Sequence, residues 1–381
     1  MNITEETLCA VALSRIGRSN PADFLRLYNT LGSAKAVYDH RDNILDVIPD
    51  ATPRLVKALQ NLPDAMRTAE EEIRFDEAHG ITPLAFNDEA YPERLRHCCD
   101  APIVLFYRGT ADLNQRRIIS IVGTRHCTIY GQDLIRKFVT DLHEVCPEVL
   151  IVSGLAYGVD ICAHRQALSC GYETLGVLAH GLDYIYPTAH RDTATKMLGQ
   201  GGLITEFTTH TNADKLNFIR RNRIVAGMAD ATLLVESAAH GGGLITAGIA
   251  DGYGRDVFAF PGNVGNVYSE GCNNLIRNNK AMLLTGAADF VSAMGWEEDS
   301  AILRARKAGI ERQMFPDLSE DEEKIVSLLR DNNDLNVNII VMRTQLPSAT
   351  VTSSLFSLEL KGVVRMYAGG VYHLFLVHKM I

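Results

Sequence analysis

Near the start of the chain, apolar residues recur every three to four positions: Leu8, Val11, Ala12, Leu13 and Ile16, then Phe24, Leu25, Leu27, Tyr28 and Leu31. This spacing predicts helices alone over residues 1–75. Breaks are expected at Gly17-Arg18-Ser19-Asn20-Pro21 and near Pro49 and Pro53. Near Gly80 the texture changes. Short β-branched runs now alternate with helical stretches: Ile118–Val122, Val149–Val152, Thr174–Leu178, Leu203–Thr205, Thr232–Val235, Val257–Phe260 and Met282–Leu284. These runs are apolar throughout, the mark of parallel strands buried on both faces. Helices are expected between them, at Gln132–Val145, Ile161–Ser169 and Phe218–Ala229, and residues 80–115 are expected to add a strand or two.

Strand–helix alternation of this kind predicts an α/β fold with a Rossmann-like, doubly wound sheet over residues 76–296. The helices of residues 1–75 read as a small N-terminal domain, SAM-like or helix-hairpin-helix-like. The charged stretch 297–315 reads as a linker helix. Beyond Pro316, Ser319 followed three residues later by Glu322 is a helix-start signature. Ile325, Val326, Leu328 and Leu329 supply that helix with an apolar face. A second helix is expected near Val337–Met342. A third, Pro347–Leu360, is expected to bury Val351, Leu355, Leu358 and Leu360, and a hairpin follows over 362–374. Three helices and a hairpin give a C-terminal winged-helix domain over 316–381.

The 381 residues carry a net charge of −9, which argues against a nucleic-acid footprint unless positive charge is gathered locally. Eight cysteines are scattered with neither Cys-x-x-Cys nor zinc-ligand spacing, the usage of buried thiols in a reducing compartment. The acidic start lacks a secretory pattern, and no apolar run approaches the roughly 20 residues of a membrane span. A cytoplasmic protein with no membrane association is expected.

Ligands of such sheets bind at the carboxyl ends of the strands. Four loops there are rich in glycine: Gly123-Thr124-Arg125, Ser153-Gly154-Leu155-Ala156-Tyr157-Gly158, Gly181–Pro187, and His240-Gly241-Gly242-Gly243 ahead of a helix. Glycine lets backbone N–H groups approach an anion, and helix N-termini favour negative charge. Neither the dinucleotide fingerprint nor a P-loop lysine is present. The run Lys215-Leu216-Asn217-Phe218-Ile219-Arg220-Arg221-Asn222-Arg223 puts four positive charges in nine residues with no acid among them. Arginine grips phosphate bidentately, and a phenylalanine offers a stacking face to an unpaired base. The same pattern also suits a solvated basic helix face with Phe218 in the core.

Several motifs resemble those of the DNA-processing protein A (DprA/Smf) family: Ile121-Val122-Gly123-Thr124-Arg125, Ser153–Asp160 with Ala163-His164, Gly181-Leu182-Asp183 with Tyr186-Pro187, Asn217–Ile224, Leu244-Ile245-Thr246-Ala247, Phe258–Gly262 and Gly271-Cys272-Asn273. The resemblance runs in order from about Ile81 to Leu284. It implies a protein without catalysis or cofactor. Such a protein binds single-stranded DNA during natural transformation, protects it, loads the RecA recombinase onto it and works as a homodimer. It implies a DNA site at Arg125, Phe218, Arg221, Arg223 and Lys215. The neighbouring Gly123, Thr124, Ser153, Gly154, Asn217, Arg220, Gly241, Gly242 and Gly243 complete the expected site. The chain departs from the family pattern at Ile219, where proline is usual, at Gly241–Gly243, which replaces a Ser-Gly-Ser loop, and at Asn278–Ala281.

Two other readings compete. In a Rossmann-like nucleotide N-glycosidase or nucleotide sensor, Glu206 or Glu236 at a strand end would assist an oxocarbenium-like reaction; as plain structure, these carboxylates cap a helix or tether a loop. A duplex-binding regulator would work through the winged helix, yet Pro347–Leu360 contains no Lys or Arg with which to read bases. That helix is expected to serve as a protein-contact or auxiliary module. His164 and His180 are expected to hydrogen-bond in the core.

Overall fold

A computed structural model describes residues 4–16, 21–296, 318–333, 335–361, 363–367 and 370–374. The linker helix expected at 297–315 lies outside the described residues. Contacts divide the chain into two units, Met1–Trp296 and Glu297–Ile381.

The first unit opens with helices α1 (Glu5–Ile16), α2 (Pro21–Leu31), α3 (Ala34–Asp39), α4 (Ile44–Val47), α5 (Pro53–Gln60) and α6 (Leu62–His79). Helix α6 runs past residue 75 and leads directly into the sheet. After it come β1 (Thr82–Ala85), α7 (Glu93–Arg96), β2 (Val104–Gly109), β3 (Ile118–Val122), α8 (Ile129–Val145), β4 (Leu150–Ser153), α9 (Val159–Cys170), β5 (Thr174–Val177), α10 (Arg191–Gly199) and β6 (Gly201–Thr205). The remainder is α11 (Lys215–Gly227), β7 (Ala231–Leu234), α12 (Gly242–Gly252), β8 (Asp256–Ala259), α13 (Glu270–Arg277), β9 (Met282–Leu283) and α14 (Ala287–Ala293).

Nine strands form one sheet in the order β1-β2-β6-β5-β4-β3-β7-β8-β9. From β6 to β9 every pairing is parallel, and β1 and β2 extend the β6 edge antiparallel. The chain winds outward from β3 to β6, crosses back, and winds the other way from β7 to β9. Such a sheet is covered on both sides because successive side chains alternate between its faces. Ile118, Val122, Val152, Leu175 and Ile204 pack with the N-terminal helices. Ile119, Ile121, Ile151 and Leu233 pack with Phe138 and Val139 of α8 and Phe290 of α14. Each such side chain adds about 1.5–3 kcal/mol when it leaves water.

The N-terminal helices share the first of these cores, which runs from Cys9 of α1 to Ile204 of β6. A polar clamp joins them as well: Glu72 of α6 accepts from the backbone N–H (2.6 Å) and hydroxyl (2.7 Å) of Thr209, in the loop feeding α11.

The second unit holds α15 (Glu320–Asp331), β10 (Leu335–Asn336), α16 (Val337–Thr344), α17 (Ser348–Leu360), β11 (Val364–Tyr367) and β12 (Val371–Leu374), its strands ordered β10-β12-β11. This is a winged helix. Ser319 caps α15 in a reciprocal box with Glu322, whose carboxylate accepts from the Ser319 N–H at 2.7 Å. Ile325, Val326 and Leu329 are buried against Val351, Leu355 and Leu358. Leu360, expected in this core, is instead 76% exposed. Two positions past Leu358, it lies on the opposite face of α17, beside exposed Phe356.

Candidate nucleic-acid interface

A doubly wound sheet opens a crevice where its winding reverses, because neighbouring crossovers leave on opposite faces. In this chain the reversal lies between β3 and β7, and a cavity of about 610 Å³ occupies it. The size suits an organic ligand. Its walls come from the loops after β3 and β4, the start of α12 and one side of α11.

The first wall is Gly123, Thr124 and Arg125. The loop is pinned at its neck: Thr124 N–H donates to the Glu236 carbonyl (2.8 Å), and the Thr124 carbonyl accepts from Val159 N–H (3.1 Å). Arg125 is exposed beyond this neck, its guanidinium carbon 5.0 Å from the centroid of the Phe218 ring. At this range a cation gains from the ring's negative face.

The second wall depends on two glycines. A Cβ on Gly154 would lie 2.0 Å from Arg221 Nη1, so only glycine lets that guanidinium lie against the loop. Gly158 sits at φ 77°, and a Cβ on it would lie 2.2 Å from the Thr124 carbonyl oxygen, so it is closed to other residues on both counts. Gly241, Gly242 and Gly243 make the third wall. They start α12, and a helix N-terminus is favourable to an anion.

Arg221 is 3% exposed and donates from Nη1 to the Val177 carbonyl. Its Nε has no partner among the described residues. Burial lowers its pKa to about 10, with Asp160 opposing the shift and Arg125 adding to it. The guanidinium thus stays charged at neutral pH. Burial correspondingly raises the Asp160 carboxyl, with Arg221 opposing. Arg221 and Asp160 form a buried charge couple in the cavity wall, whereas Arg125 and Lys215 stand exposed at its mouth.

Ten of the fourteen expected site residues line the cavity: Gly123, Thr124, Arg125, Gly154, Lys215, Phe218, Arg221, Gly241, Gly242 and Gly243. Four do not. Ser153 is fully buried and donates to the Ile121 carbonyl. Asn217 donates to the Asn212 carbonyl. Arg220 borders a small recess with Leu13 and Phe24 of the N-terminal helices. Arg223 is 6% exposed and reaches Glu206 at 2.5 Å and Asp100 at 3.9 Å. Residues of a helix turn by 100° per position, so one run of cations is distributed over several faces.

Of the four glycine loops, three meet at the cavity. The fourth, Gly181–Pro187, stands beside it and places the Tyr186 ring 6.1 Å from that of Phe218. Sequence reasoning gave no role to Asp160 or Tyr157, both of which line the cavity. Asp160 reads in sequence as an ordinary acid in the first turn of a helix, and the arginine it balances lies sixty-one positions on.

Glu236 accepts from the backbone N–H (2.8 Å) and hydroxyl (2.6 Å) of Thr128 at the start of α8. Glu206 is held by Arg223. Both carboxylates thus serve as tethers. His164 is buried with Nδ1 2.7 Å from the Thr174 hydroxyl, and burial lowers its pKa to about 3. Among the described residues, no helix is long and apolar enough to cross a membrane.

The family model described as DNA recombination-mediator protein A matches residues 82–295, and that of the DprA winged helix domain matches 313–370. Protein Smf of Escherichia coli is 33% identical over 304 residues, 78% of each chain. DNA processing protein DprA of Streptococcus pneumoniae is 34% identical over 229 residues, 58% of this chain and 80% of that protein. The crystal structure of the latter superposes with a TM-score of 0.63 at 28% identity, covering 77% of this chain and 98% of that one. A structure of DNA processing protein A from Helicobacter pylori, described for its single-stranded DNA binding mode, superposes with a TM-score of 0.51 at 26% identity, covering 56% of this chain and 95% of that one.

Proposed function

Because the chain belongs to the DNA recombination-mediator protein A family, we propose that it binds single-stranded DNA in the cavity between β3 and β7, without catalysing a reaction on it. The observation that carries this reading is the meeting of Arg125, Phe218 and Arg221 beside the start of α12. One exposed cation, one buried cation in the wall, a ring and a helix N-terminus match the parts of an unpaired strand: phosphate, phosphate and base. Engagement of Glu206 and Glu236 as tethers favours binding over N-glycoside cleavage.

As the family resemblance implies, the bound strand is protected and handed to RecA by a cytoplasmic homodimer during DNA uptake. The winged helix acts as a protein-contact or auxiliary module in this scheme. The exposed side of α17 carries Thr352, Ser353, Phe356 and Leu360, which hold no positive charge to meet a duplex.

Arg125→Ala is expected to weaken oligo-dT binding by about 1.5–3 kcal/mol, the range of a hydrogen bond to a charged group. It should also flatten the salt dependence by about 0.7 in log K per log salt, the contribution of one single-strand phosphate. Fluorescence anisotropy of a labelled oligo-dT across a salt series measures both. An Arg125→Ala variant with wild-type affinity and slope contradicts the assignment. A duplex of the same sequence should compete poorly; competition as strong as that of the single strand would favour the winged-helix reading.

A further inference from the structure

We infer that Tyr186 is a second stacking platform, so that the site takes two consecutive unpaired nucleotides, splayed apart, rather than a single one. The inference rests on the single-strand reading above and extends it. Tyr186 is 47% exposed and lies beside Phe218, with ring centroids 6.1 Å apart and planes inclined by 54°. Arg125 covers part of the Phe218 ring. Phe218 therefore has limited open surface, and Tyr186 is the adjoining ring that a next base would meet.

The two rings come from different crossovers, and their spacing is fixed by the loops that bear them. The Tyr186 N–H donates to Nε2 of His180 (3.2 Å), whose Nδ1 faces the Gly181 carbonyl (2.7 Å). His180 is stacked on Tyr184 at 4.3 Å between centroids. The Tyr184 hydroxyl accepts from Ala213 N–H (2.8 Å) and donates to the Thr211 carbonyl (3.3 Å). Asp183 accepts from the His210 N–H at 3.1 Å. The Gly181–Pro187 loop is thus tied at two points to residues 210–213, immediately before the helix that carries Phe218. A ring on a loop tethered in this way loses little freedom when a base stacks on it.

The inclination of the rings decides the ligand class. Two bases lying flat on surfaces 54° apart cannot remain parallel to each other, as neighbours in a duplex do. An unpaired strand can turn between nucleotides. A mononucleotide would use only one ring.

The test compares wild type, Tyr186→Ala, Tyr186→Phe and Arg125→Ala on oligo-dT and on an abasic strand of equal length, at low salt where backbone contacts alone hold the strand. Tyr186→Ala should bind oligo-dT about tenfold more weakly, within the range for one lost stacked base. It should bind the abasic strand as wild type does, and Tyr186→Phe should match wild type on both. Wild-type affinity of Tyr186→Ala for oligo-dT, with Arg125→Ala impaired, overturns the Tyr186 platform and leaves the cavity reading intact. Equal weakening on the abasic strand, or equal weakening by Tyr186→Phe, also overturns it, because the ring's stacking face is then not the contact. If neither Arg125→Ala nor Tyr186→Ala changes affinity, the cavity reading falls with it.

Discussion

Arg223→Ala is expected to lower the unfolding free energy by about 3–5 kcal/mol, the cost of stripping one partner from a buried ion pair. Arg223 is 6% exposed and contacts Glu206 and Asp100. Asp100 in turn accepts from the Tyr253 hydroxyl. One guanidinium thus joins α11 to the segment after α7, the end of β6 and the end of α12. Removing it leaves the Glu206 carboxylate, whose side chain is only 14% exposed, without its cation. Replacing both ions, as in Glu206→Gln with Arg223→Met, should restore part of the loss, since burying a pair of ions itself carries a desolvation penalty. Urea denaturation measures the stability of each variant, and oligo-dT affinity at low urea measures the site. A variant Arg223→Ala with wild-type stability and lost affinity would return Arg223 to the DNA contacts.

Asp76→Asn is expected to stabilise the protein, and increasingly so toward alkaline pH. Asp76 is 1% exposed in α6, its Oδ2 without a partner among the described residues. Burial pushes its carboxyl up to about 8, and the neighbouring Glu72 adds to the shift. In the unfolded chain the group titrates near pH 4. Below about pH 4 both states hold the proton, and the group carries no penalty. Between about pH 4 and 8 only the native state holds it, so stability falls as pH rises. Above about pH 8 both are ionised and the full penalty, on the order of 5 kcal/mol, is in place. Asparagine stays neutral throughout. Urea midpoints at pH 5 and pH 9 should therefore show a larger gain for the variant at pH 9. An equal gain at both would mean that the carboxyl is not titrating in the native state.

Much of the fold can be read from local pattern because local physics dictates it. The run Ile118–Val122 is apolar but for Ser120 because its two faces meet two different cores, and Ser319 with Glu322 starts a helix through bonds made within four residues. Glycine at 123, 154 and 241–243 likewise marked the walls of the cavity; at 123, 154 and 243 a side chain would strike a neighbouring loop, strand or guanidinium. What stayed hidden depended on partners distant in sequence. The cluster Lys215–Arg223 reads as one basic patch. Yet Arg221 donates to the Val177 carbonyl in the field of Asp160, Arg223 turns to Asp100 and Glu206, and Arg220 to the N-terminal helices. No spacing rule within the helix identifies those acids. Leu360 failed for a local reason: two positions past Leu358, it points to the face of the helix opposite Val351, Leu355 and Leu358.

The Glu72 clamp on Thr209 has a consequence for how the molecule can diverge. A lineage that sheds the N-terminal helices also removes the anchor of the loop leading to Phe218, so such a loss must be met by a new tether elsewhere or by a shorter loop. The leading helices and the cavity at the sheet's reversal are therefore expected to change in step over descent, not as interchangeable modules.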